Sequence, residues 1–287
     1  MRLRVNKRIP LLIGGAPARP NSFGLGAAVI GLVTGWLIAT AAVNLWPHAR
    51  GTNAAPSLYA QDLLNLAGLW VGLLASVFIA RRLSRQRPDE AVYGETLELG
   101  TYRLGTDRAH VGYLVQMRAD YGIAIRPIDL LTGIVMGLFG QYLLTPLFEL
   151  PLVPFIPDLF ARLNDPANSL THNITGSHFF ILGLFVCLGS PIVEELYFRG
   201  LVLRALLGRF SNWRITRSPR LVAIALPVAL DGVFFGVVHF EPLELLALSG
   251  FGVLLALLAW SSGRLGPGFI AHVTFNSATF IALARTH

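Results

Sequence analysis

Seven apolar stretches constrain this chain more than any other feature, because about 20 such residues in a helix cross the hydrocarbon core of a bilayer. They run over roughly 24–46, 62–80, 128–150, 177–198, 221–240, 244–262 and 266–284. Composition agrees: 54% of residues are hydrophobic and 14% charged, where a globular domain carries about 25% charged residues. The mean hydropathy is +0.59. One large soluble domain is excluded on that ground, and the expected fold is an all-α polytopic membrane bundle. Residues 1–127 are expected to form an N-terminal transmembrane helix pair with a cytoplasmic loop, and 128–287 a helical bundle.

Charge gives the orientation. With the N-terminus in the cytoplasm, the inner segments hold twenty Lys and Arg: five in 1–23, eight in 81–127, six in 199–220, and Arg264. The outer segments hold only Arg50, Arg162 and Arg285. Positive residues favour the cytoplasmic side, so the N-terminus lies inside and the C-terminus outside. The net charge of +7 then reads as a cytoplasmic face of arginines against anionic headgroups. Nucleic acid is not an expected partner.

The basic start of the chain, Met1 to Arg8, precedes an apolar run broken by Pro10, Gly14, Gly15 and Pro17. A full-length apolar segment follows, which favours a retained first helix over a cleaved secretory signal. The single Cys187 excludes an intramolecular disulfide and reads as a small packing residue. The stretch 81–127 is expected to be a cytoplasmic loop with a short amphipathic helix over 108–120. Asn173-Ile174-Thr175 matches a glycosylation pattern too short to carry weight.

Three polar clusters interrupt the later apolar segments: Glu194 and Glu195, His239, and His272 with Asn276. An ionisable group in an apolar helix costs a few kcal/mol or more and is a functional candidate by default. Adjacent helical residues point about 100° apart, so the two glutamates cannot share a task. Glu195 and Arg199 are four residues apart, the spacing of an ion pair, which leaves Glu194 for substrate or water. In an apolar chamber such a carboxylate suits proton transfer near neutral pH. Pro191 removes a helical donor just before it, predicting a local opening of the helix.

Phe235 shares a helix face with His239, and His272 with Asn276, each at four-residue spacing. Gly232 and Gly236 allow a neighbouring helix to approach. Each cluster alone also has a structural explanation: interfacial acids neutralised by Arg199 and Arg204, an interfacial histidine, and polar contacts between helices. Together, a glutamate, two histidines and an asparagine can activate water and stabilise an oxyanion, or hold a metal. The chain has no His-Glu-x-x-His and no Gly-x-Ser-x-Gly pattern.

Glu-Glu-x-x-x-Arg at Glu194, Glu195 and Arg199, Phe-x-x-x-His at Phe235 and His239, and His-x-x-x-Asn at His272 and Asn276 follow one another on successive segments. In this the chain resembles the CAAX protease and bacteriocin-processing family of intramembrane endopeptidases, also called the abortive infection family. That family includes the Ras-converting type 2 CAAX prenyl endopeptidase. The motif-bearing resemblance covers about 177–284, the expected protease core.

The resemblance implies hydrolysis of peptide bonds in membrane-associated peptides or proteins. Glu194 and His239 would activate the water, His272 and Asn276 would stabilise the oxyanion, and Glu195, Arg199 and Phe235 would support them. It leaves the cofactor open: Glu194, His239 and His272 can be zinc ligands with an open position, or no metal is used. The alternative reading is a non-catalytic membrane protein, an immunity or scaffold factor, or a proton-coupled transporter. An Arg-, Ala- and Gly-rich chain with a single lysine suggests a prokaryotic plasma membrane.

Two points fit poorly. If Trp213 centres the loop, Glu194 and His239 differ in depth by roughly 10 Å at 1.5 Å per residue. The simplest repair is a non-helical or surface-lying start to 214–226 with a break near Pro227. Asp231 is an acid that the family pattern does not call for; it is either a supporting partner or a structural charge.

Overall fold

The computed structural model describes residues 24–49, 57–85, 97–99, 102–104, 120–171, 174, 176–211 and 219–285. Its helices are α1 (Leu25–Ala49), α2 (Leu58–Arg85), α3 (Pro127–Phe139), α4 (Thr145–Glu149), α5 (Leu159–Thr171), α6 (Gly176–Leu184), α7 (Ser190–Glu195), α8 (Leu203–Ser211), α9 (Pro219–Val237), α10 (Leu245–Ser262) and α11 (Gly266–Ala284). A two-stranded antiparallel hairpin pairs β1 (Leu97–Leu99) with β2 (Tyr102–Leu104). Among the described residues the fold is all-helical apart from this hairpin. The helix expected over 108–120 lies almost wholly outside the described residues, as do Asn173 and Thr175 of the glycosylation pattern.

Among the described residues, six helical spans are long and apolar enough to cross a membrane, and Val222–Val237 is a shorter apolar helix. Ile30, Leu37, Leu131, Leu143 and Phe180 are among the large apolar side chains on the outside of the bundle. An outer surface of this kind suits contact with lipid tails. The helices meanwhile satisfy their own backbone groups, as a bilayer demands. The protein is therefore an integral membrane protein.

Small residues set how closely the helices approach. Gly31 and Gly35 of α1 face Gly72 and Ser76 of α2, Gly68 faces Ala39, and a Cβ at Gly35 would lie 2.7 Å from the Leu69 carbonyl oxygen. Gly232 and Gly236 likewise admit α10: a Cβ at Gly252 would lie 2.8 Å from the Gly232 carbonyl oxygen. In lipid, where apolar burial drives helix association weakly, such close contact supplies the attraction. The buried core between these elements includes Leu73, Val77, Tyr197, Phe198, Phe235, Phe251 and Leu255.

Wide turns interrupt two of the long spans. Gly140–Leu144 and Phe185–Gly189 are π-helical and come just before Pro146 and Pro191. A third π-helical run, Leu196–Val202, joins α7 to α8, so the span continues to Ser211. By contrast, α9 passes through Pro227 without a break. The break expected there does not form: a membrane helix tolerates proline where its neighbours re-satisfy the backbone, and α9 packs against α10 along Gly232 and Gly236.

At the end of the bundle near residues 120–126, arginines are buried. Arg264 donates from Nε to Asp129 at 2.9 Å, Asp129 also accepts the Arg126 backbone N–H at 2.8 Å, and Arg81 pairs with Asp120 at 2.9 Å. Arg81, Arg199, Arg204 and Arg264 are each at most 4% exposed. These four therefore do not lie against headgroups. Removing them from the twenty inner positive residues leaves sixteen against three, so the orientation argument keeps its sign.

Candidate active site

The site begins with a missing hydrogen. In the π-helical turn before α7, the Ser190 N–H bonds the Phe185 carbonyl, a spacing of five residues. The next bond in that register would run from residue 191 to Val186, but Pro191 has no N–H. The Val186 carbonyl is thereby freed, and Asn276 of α11 donates to it from Nδ2 at 2.9 Å. Wide turns of this kind recur at functional sites because they aim groups off the regular helix.

Glu195 and Arg199 form the ion pair their spacing allows, Arg199 Nη1 donating to Glu195 Oε1 at 2.9 Å. Arg199 also donates from Nη2 to the Gly252 carbonyl at 3.0 Å. Its Nε lies 3.4 Å from Asp231 Oδ2, and both Arg199 and Asp231 side chains are 0% exposed. The guanidinium stacks over Phe235, 4.6 Å from the ring centre. Asp231 thus flanks Arg199 opposite Glu195, with neither carboxylate oxygen hydrogen-bonded. Sequence spacing does not assign this partner, because it comes from another helix.

His272 completes a chain from Asp231 through Arg199 and Glu195. Its Nδ1 lies 3.1 Å from Glu195 Oε1. A carboxylate accepts, so Nδ1 carries the donated proton and the ring's orientation is set. The other nitrogen, Nε2, faces Glu194 Oε2 at 3.8 Å. Glu194 Oε2 is buried and has no hydrogen-bond partner, although its side chain is 17% exposed. Gly268 makes room for this arrangement: a Cβ there would lie 2.9 Å from Glu195 Oε2.

His239 sits just past the end of α9. Its Nδ1 lies 2.6 Å from the Phe235 carbonyl, which can only accept, so Nε2 is left with a lone pair. The Phe235 ring touches both imidazoles, its centre 4.6 Å from His239 and 5.5 Å from His272. The Arg199–Asp231 contact fixes the register of the two helices. Glu194 lies five residues beyond Arg199 and His239 eight beyond Asp231, which leaves a depth difference of about 4.5 Å at 1.5 Å per residue. The larger mismatch expected from a loop centred on Trp213 is corrected without a break, because α8 ends at Ser211 and α9 begins at Pro219.

The structure thus brings together Glu194, Glu195, Arg199, Phe235 and His272, sets His239 against Phe235, and places Asn276 one turn along α11 from His272. Among the described residues, no group of three or more His, Cys, Asp or Glu side chains is arranged to hold a metal ion. Glu194, His239 and His272 do not gather as a zinc ligand set.

Residues 176–278 match the family model described as type II CAAX prenyl endopeptidase, Rce1-like. No curated protein and no solved structure matched the chain.

Proposed function

We propose, because residues 176–278 match the family model of the Rce1-like type II CAAX prenyl endopeptidases, that this protein is an intramembrane endopeptidase in which Glu194 and His239 activate the hydrolytic water. His272 and Asn276 face the carbonyl oxygen. Glu195, Arg199 and Phe235 hold these groups in place. The protease core is 177–284 within the helical bundle 128–287, residues 1–127 are an N-terminal transmembrane helix pair with a cytoplasmic loop, and the setting is a prokaryotic plasma membrane.

The observation that carries this reading is the unpartnered Glu194 Oε2, buried 3.8 Å from His272 Nε2. A buried carboxylate oxygen without a donor is costly, and here it is directed at a second reactive group. The separation allows one scissile carbonyl to turn its carbon toward a water on Glu194 and its oxygen toward His272.

Water then adds to that carbon through its oxygen and gives its proton to Glu194, assisted by His239 Nε2. Negative charge collects on the former carbonyl oxygen. The second Asn276 N–H and, with His272 as the imidazolium protonated at both ring nitrogens between Glu195 and Glu194, His272 Nε2 stabilise it by donation, an oxyanion arrangement that lowers the barrier because the donors are already oriented. Collapse breaks the C–N bond, and the proton held by Glu194 passes to the leaving amine. One water is consumed, and no oxidant or reductant is needed.

The substrate is a peptide or protein segment at the bilayer. Comparing membrane-associated peptides in cells making the parent protein and cells making Glu194→Ala tests the reading. Uncut precursors should accumulate with the variant. Identical peptide profiles together with an intact immunity or transport phenotype would favour a non-catalytic role.

A further inference from the structure

The turn that presents His239 is loosely held by its own main chain. Its bonds from Val238 to Phe234, His239 to Gly236 and Phe240 to Val237 measure 3.2, 3.3 and 3.2 Å, at or beyond the long end of the N–H···O range. Phe240, the next residue, has φ +56°, a left-handed conformation that bulky side chains rarely adopt. Something outside the turn must hold it there. The Phe240 ring packs on Trp36 of α1, with ring centres 4.7 Å apart.

Trp36 lies outside the 176–278 family match. Its helix is nonetheless tied to the site, because the buried Tyr197 hydroxyl donates to the Ala28 carbonyl at 2.7 Å. Trp36 is eight residues from Ala28, about 12 Å at 1.5 Å per residue. Phe240 is nine residues from Asp231, about 13.5 Å by the same rise. The two rings thus meet at matching depth. Both remain partly exposed, at 48% and 61%, so the pair forms the rim beside His239 rather than part of the core.

We infer that Trp36 is a positioning residue for His239: through Phe240 it holds the left-handed turn that aims the imidazole at the Glu194 site. This rests on the peptidase reading for its catalytic consequence and on the α1–turn contact for its geometry. Misplacing a reacting group by an ångström costs up to about 100-fold in rate.

The test uses full-length protein in liposomes, a quenched fluorescent peptide ending in a prenylated CAAX sequence, and histidine-selective NMR with the His239 signal assigned through His239→Ala. Trp36→Ala should lower kcat by about 10- to 100-fold with KM nearly unchanged, and shift or split the His239 signal. Trp36→Phe should restore both. Phe240→Gly separates ring from backbone: glycine accepts the left-handed turn without strain, so loss of activity there implicates the ring contact. Parental kcat and an unmoved His239 signal in both Trp36→Ala and Phe240→Gly would overturn the inference. If His239→Ala were as active as the parent, the peptidase reading would fail; in that case, or if the parent left this peptide uncut, the NMR signal would still decide the positioning contact.

Discussion

Asp231 changes what Arg199 does in the bundle. Beside Glu195 alone, Arg199 would complete a neutral pair; with Asp231 also fully buried at 3.4 Å, one guanidinium serves two carboxylates. Removing this cation from two buried acids is expected to cost about 3–5 kcal/mol. Arg199→Leu should therefore destabilise the protein in detergent unfolding, and adding Asp231→Asn should recover part of that loss. A double variant no more stable than Arg199→Leu would show that the two side chains are not energetically coupled. The Glu195–Arg199 pair could be read from the sequence because both lie on one helical run. Asp231 on Arg199 and Asp129 on Arg264 could not, because the partners of each pair lie on different segments, 32 and 135 residues apart.

At the scale of elements, two prolines of similar appearance behave differently. Pro191 follows a wide turn that frees the Val186 carbonyl for Asn276, whereas Pro227 lies within an unbroken helix packed on α10. Sequence spacing predicted an opening at Pro191 and a break at Pro227; only the packing of the neighbouring helix distinguishes them. The Asn276 contact has a measurable signature. In the parent, Asn276→Ala strands the Val186 carbonyl and should cost about 1–3 kcal/mol. In a Pro191→Ala background a restored N–H can take that carbonyl, so the same change should cost clearly less. Equal costs in the two backgrounds would mean that Pro191 does not create the acceptor.

The whole molecule was legible as a bundle because membrane spans announce themselves by length and apolarity, and the seven expected segments match the six spans and the shorter Val222–Val237 helix. What a linear reading could not supply was which charges are internal. Arg81, Arg204 and Arg264 read as headgroup ligands in sequence and are buried in the structure. The opposite end carries a different electrostatic feature. Glu244, in the connection before α10, has its carboxyl pushed up to about 7 by burial first, then by the charges of Glu149 and Glu241.

Because that value lies above the ordinary 4.5, the folded state binds more protons than the unfolded one between those pH values. Stability therefore falls as pH rises through that window and levels off above it. The slope is at most about 1.4 kcal/mol per pH unit, less where water reaches the side chain. Thermal unfolding from pH 4.5 to 8 should show this decline in the parent and a flatter profile in Glu244→Gln. Parallel profiles would remove Glu244 as the source.

The proposed function stands on Glu194 as the group that activates water for peptide-bond cleavage in the membrane. The most direct measurement is mass spectrometry of a prenylated CAAX peptide incubated with purified protein in liposomes made with oxygen-18 water. The parent should give one cut with a single heavy oxygen in the new carboxyl, and Glu194→Gln should be slower by about 100-fold or more while keeping the parent's thermal stability. Cleavage by Glu194→Gln at the parental rate would contradict the account.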